Sequence, residues 1–105
     1  MSRLQSLLDF HEEDPKDSFV LFALASEYRK LGELEQALTF FRRLEESDPI
    51  YVGLYYHLGK LLEQLNRKQD AMGVYKKGIE IAQRVQDFHA RSELQSALIE
   101  VELPD

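Results

Sequence analysis

Cysteine is absent from this sequence, which removes disulfide staples, thiolate-bound zinc, iron–sulfur clusters and cysteine nucleophiles as explanations of what the chain does. Proline and glycine are scarce, 3 and 5 in 105 residues, so neither a collagenous nor a low-complexity chain is expected. No long apolar run exists. The longest, Phe19 to Ala25, falls far short of the roughly 20 residues that span a bilayer, and no membrane partner is expected. The stretch from Met1 to Asp9 interrupts its apolar residues too often for a secretory leader, which points to a cytoplasmic protein. Positive charge is also in deficit. With 13 basic against 19 acidic residues and a net charge of -6, the molecular field repels a phosphate backbone, so nucleic acid is not an expected partner. What is present is 44% hydrophobic and 30% charged, enough for a packed core in one domain spanning 1–105.

The chain repeats itself. Asp14-Pro15 recurs as Asp48-Pro49, and the same offset of 34 pairs Leu21 with Tyr55, Leu24 with Leu58, Ala25 with Gly59 and Leu31 with Leu65. Downstream it pairs Gly32 with Asn66, Ala37 with Ala71, Phe41 with Tyr75 and Arg42-Arg43 with Lys76-Lys77. Core, turn and surface positions keep their character together, so the duplication defines two units, 18–51 and 52–85.

Each unit reads as two helices. Leu21, Leu24, Ala25, Tyr28 and Leu31 recur at helical spacing, Gly32 permits the left-handed backbone that ends a helix, and Leu34, Ala37, Leu38, Phe41 and Leu44 begin a second stripe. Asn66 takes the place of Gly32 in the second unit and serves the same purpose. Before the first unit, Leu4, Leu7, Leu8 and His11 share one face of a half-repeat, 2–17. After the second, Ala90, Leu94, Ala97, Leu98 and Val101 form the stripe of a capping helix, 86–105, with Arg91, Glu93, Gln95 and Glu100 on its other side. The spacing predicts an all-α chain with helices near 2–12, 18–31, 34–47, 51–65, 68–86 and 88–102.

The 34-residue period, the small Ala25 and Gly59, Tyr28, the Ala37 and Ala71 pair, the Phe41 and Tyr75 pair and Asp48-Pro49 resemble the tetratricopeptide repeat. The resemblance implies a solenoid of about six antiparallel helices in hairpins: two full repeats, an N-terminal half-repeat and a C-terminal cap. It places Ala37 and Ala71 at close helix crossings and has Phe41 and Tyr75 fill the gap to the next pair. Two departures are visible: the family's frequent Trp is Leu21 and Tyr55 here, and Gly78 stands where a larger residue is usual, which weakens that position.

Chemistry is sparse by comparison. His11, His57 and His89 never form the i, i+4 pair that places two metal ligands on one helix face, and His11-Glu12-Glu13-Asp14 points its side chains in different directions. Gly59-Lys60 lacks the preceding glycine-rich loop of a phosphate site, and acid pairs such as Glu45 and Glu46 lie on polar helix faces. No metal, cofactor or catalytic residue is expected, and the protein is not expected to be an enzyme.

The resemblance implies instead that the first helix of each pair lines a concave groove. On 18–31 the stripe beside the core holds Phe19, Phe22, Ala23, Ser26, Arg29 and Lys30; 34 residues later it holds Gly53, Tyr56, His57, Lys60, Glu63 and Gln64. The predicted peptide-binding residues are Phe19, Phe22, Ser26, Arg29, Lys30, Tyr56, His57, Lys60 and Gln64. They suit an apolar anchor with an acidic flank. The family's clamp for a terminal carboxylate is not rebuilt: the matching positions hold Phe22, Ser26 and His57, with Asp87 and Arg91, or His89 and Glu93, on the sixth helix. The expected function is thus a small interaction module for a protein or peptide partner. The alternative is a self-assembling structural subunit, a homodimer paired through its N-terminal end, where the helix after Ser18 is apolar almost all round and leaves Phe22 or Phe19 exposed.

Overall fold

The computed structural model describes residues 2–104, and these form six helices and no strand. They divide into two compact units, one ending at Tyr51 and one beginning at Val52.

In the N-terminal unit, α1 (Arg3–Glu13) packs on α2 (Ser18–Lys30), and α2 packs on α3 (Leu34–Ser47). Side-chain caps open the first two: Ser2 Oγ accepts from the Gln5 N–H at 3.1 Å and Asp17 Oδ1 from the Val20 N–H at 3.0 Å. The two Asp-Pro pairs end α1 and α3, since a residue before proline is pushed to extended backbone: Asp14 has φ -144° and Asp48 φ -148°. Asp48 does more than stop a helix, because its carboxylate accepts from Ser18 Oγ at 2.6 Å and ties the end of α3 to the start of α2. Leu21, Leu24, Ala25, Ala37, Phe41 and Leu44 are the centre of this core.

In the C-terminal unit, α4 (Gly53–Gln64), α5 (Lys68–Arg84) and α6 (Phe88–Glu102) pack on one another. Two observed bounds depart from expectation by two residues, the others by one at most. The first concerns α4, which starts at Gly53 because the turn after Asp48, closed by the Tyr51 N–H on the Asp48 carbonyl, takes up the residues before it. The second concerns α5, which ends at Arg84, and the cause is a third left-handed residue. Gly32, Asn66 and Gln86 have φ +82°, +59° and +62°. In each case the next residue's N–H reaches back five positions, Glu33 to Tyr28, Arg67 to Leu62 and Asp87 to Ala82, at 2.9, 2.8 and 2.9 Å. One helix stop is thus used three times. Glutamine has a Cβ that this conformation disfavours, so Gln86→Gly is expected to stabilise the protein by roughly 0.5–1 kcal/mol, measured as a raised urea midpoint.

The α4–α5 contact corrects two expectations. Gly78 does not weaken its position: a Cβ there would lie 2.5 Å from the Cβ of Tyr55, so only glycine fits. Across the same interface the ring of Tyr75 lies on Gly59, on the helix it is paired with. Each tyrosine sits where the opposing helix has no side chain. In the N-terminal unit the positions 34 residues earlier are Leu21 with Leu44 and Ala25 with Phe41, so the same cross-section is filled with volume moved between the helices.

The outer face of α6 is less polar than the sequence suggests, since Phe88 and Ile99 are more than half exposed alongside the expected charges. Among the described residues, no helix is long and apolar enough to cross a membrane.

Candidate functional site

The face of α2 expected to meet a partner is uneven. Phe19, in the first turn, is 64% exposed. Phe22 is half-buried, its ring edge-on to Phe41 at 6.1 Å between centroids and tilted against Tyr51 at 5.5 Å. Burial first, then the carboxylates of Asp48 and Asp17, push the Tyr51 phenol up from its usual range, so this wall of the Phe22 site presents a neutral hydroxyl. Ser26 and Arg29 are half-buried and Lys30 is exposed. Both cations stand in the last turn, where the helix dipole favours them. Ala23 does not belong to this face. It is 5% exposed because α2 is packed by both α1 and α3 and has little free circumference.

On α4 the corresponding face is more ordered. Tyr56, His57 and Lys60 are half-buried and Gln64 is exposed. The Lys60 ammonium lies 5.5 Å from the centre of the Tyr56 ring and 3.7 Å from Glu63 Oε2, while the Tyr56 and His57 rings meet edge-on at 5.5 Å. Glu63 also accepts from the Tyr75 hydroxyl, so it is committed to the unit's interior network and moderates the charge of Lys60. The basic end of this stripe is therefore half-neutralised. Gly53 is exposed at the helix start and brings no side chain.

The histidines remain separate. His11 is edge-on to Phe40 at 5.5 Å, and His89 Nε2 lies 3.5 Å from Glu93. Among the described residues, no group of three His, Asp or Glu could hold a metal ion.

Sequence reasoning missed a cavity of about 470 Å³ in the N-terminal unit, lined by His11, Pro15, Lys16, Leu21, Arg43, Glu46 and Ser47. The signal was present in the repeat: at the position where the second unit has Tyr55, the first has the smaller Leu21.

A model of the tetratricopeptide repeat matches residues 20–51 and 52–84. Among solved structures, the chain is similar to a tetratricopeptide repeat domain protein from Salinibacter ruber. Its solution structure is 47% identical with a TM-score of 0.81 over 85% of this chain and 90% of that one. Its crystal structure is 46% identical with a TM-score of 0.78 over 82% and 97%. The TPR2B domain of yeast Sti1, in its complex with pHsp70, has a TM-score of 0.87 over 93% of this chain and 78% of that one at 14% identity, a likeness of fold alone. No curated protein matches the chain.

Proposed function

Since the chain belongs to the tetratricopeptide repeat family, we propose that it is an interaction module, without a catalytic step, that holds a peptide segment of a partner protein against the first helix of a repeat, with the face of α4 as the chief contact. The observation that carries this reading is the α4 face: a half-buried tyrosine with a lysine ammonium over its ring, and His57 and Gln64 beside them. Half-buried rings bind well because much of their ordering cost is already met, and the ammonium supplies a partner for an acidic flank. On α2, Phe22 with Ser26, Arg29 and Lys30 offers a related set, with Phe19 as a further apolar contact. The pHsp70 complex of the yeast domain is a precedent for partner binding on this fold.

A peptide with an aromatic or aliphatic anchor next to acidic residues is expected to bind with micromolar affinity. Raising salt from low to physiological weakens it, because exposed charges are screened beyond about 8 Å. The double variant Tyr56→Ala, Lys60→Glu is expected to lose at least about tenfold in affinity in a calorimetric titration, since truncating one well-placed aromatic anchor alone costs more than about 1 kcal/mol. Equal affinity in the variant would refute the α4 assignment.

A second reading, self-association through the N-terminal unit, is favoured by Phe10 and Phe19, which are 56% and 64% exposed. Phe22 is taken up by Phe41 and Tyr51, which makes Phe19 the residue to test. Sedimentation at tens of micromolar is expected to show a dimer that Phe19→Ser converts to monomer; a monomer in both removes this reading.

A further inference from the structure

We propose that the cavity of the N-terminal unit is a binding site for a small monocarboxylate, a single carboxylate carried on an apolar body. It shares no residue with the α2 and α4 faces and stands independently of their reading. Its volume, about 470 Å³, lies within the ordinary range for small-molecule sites.

The cavity lies at a place where the two repeats differ in sequence. In the C-terminal unit the Lys77 ammonium lies 5.8 Å from the centre of the Tyr55 ring. The counterparts 34 residues earlier are Arg43 and Leu21, so the ring that lies near the cation there is missing here, and Leu21 with Pro15 gives the space an apolar wall.

Its charged groups are arranged for one acid. Among the described residues, no carboxylate lies within 4 Å of the Lys16 ammonium or the Arg43 guanidinium, although the chain carries a net charge of -6. Arg43 is held with its guanidinium 4.9 Å from the Phe40 ring centre, and a planar fork of this kind matches the two oxygens of a carboxylate. Phe40 also receives the edge of His11 at 5.5 Å and stacks on Tyr28 at 5.6 Å, which fixes the platform. His11 Nδ1 is sealed from solvent without a hydrogen-bond partner. Glu46 lines the same space and opposes every anion, the more highly charged phosphate more strongly than a monocarboxylate, so the site favours the carboxylate of the two.

The test is an NMR titration of the full chain with phenylacetate, phenylacetamide and inorganic phosphate. Phenylacetate is expected to shift the signals of His11, Lys16, Leu21 and Arg43 and to bind at least about tenfold more tightly than the uncharged amide of the same shape. Arg43→Gln and Lys16→Gln, both exposed positions with unchanged melting expected, should each weaken phenylacetate about tenfold, while the control Lys76→Gln, at an exposed position on α5, leaves it unchanged. Acid and amide binding alike, variants binding like the wild type, or phosphate binding more tightly than phenylacetate would each overturn the proposal. N-acetylphenylalanine distinguishes the sources: equal binding supports the carboxylate at a chain end, and its exclusion supports a free acid.

Discussion

Gly78→Ala is expected to lower stability by about 3 kcal/mol, near the top of the overpacking range, even though alanine favours a helix by up to about 1 kcal/mol over glycine. The added methyl would stand 2.5 Å from the Tyr55 Cβ, an atom fixed to the backbone of α4, and 3.0 Å from Leu94 Cδ1 on α6. A side-chain tip can rotate away from such a clash; a Cβ moves only with its helix. Tyr55→Leu keeps a Cβ and a Cγ at the same place and is not expected to relieve the clash. Urea unfolding of Gly78→Ala measures the loss, and an unchanged midpoint would show that α4 and α5 can part at no cost.

Tyr75→Ala is expected to be among the most damaging truncations in the C-terminal unit, at about 3–5 kcal/mol, because the ring is fully buried against Gly59, which has no side chain to fill the void. Tyr75→Phe separates packing from hydrogen bonding. It keeps the ring and loses the hydroxyl that Glu63 accepts, which should cost about 1–2 kcal/mol, a bond to a carboxylate being stronger than a neutral one. Losses of equal size in the two variants would place the stabilisation in the Glu63 network instead of in the ring.

The features legible in the sequence were those set by one residue's own backbone chemistry. Asp-Pro ends a helix wherever it stands, and Gly32 and Asn66 announce left-handed turns by their side chains, so the helices and the repeat could be placed from local signals. Gln86 carries no such mark. Its turn is imposed by α5 and α6 packing back on each other, and the helix end was accordingly read two residues late. Gly78 was misread for a related reason: alone it looks like a loss of packing, and only its pairing with Tyr55 shows that the volume sits on the other helix. On α2, a helix apolar almost all round does not reveal which phenylalanine meets water. Tyr51 and Phe41 decide that, taking up Phe22 and leaving Phe19 outside. The cavity beside Arg43 needed the comparison of Leu21 with Tyr55 as well as the rings around Phe40, which lie far apart in sequence.

The central claim is that a partner peptide is read by the first helices, and a chemical-shift map of the labelled chain tests it most directly. On titration with a peptide carrying an aromatic anchor beside acidic residues, saturable shifts are expected at Tyr56, His57 and Lys60 on α4 and at Phe22 and Arg29 on α2, weakening as salt rises. No shifts at Phe22, Tyr56 or Lys60 would contradict the account.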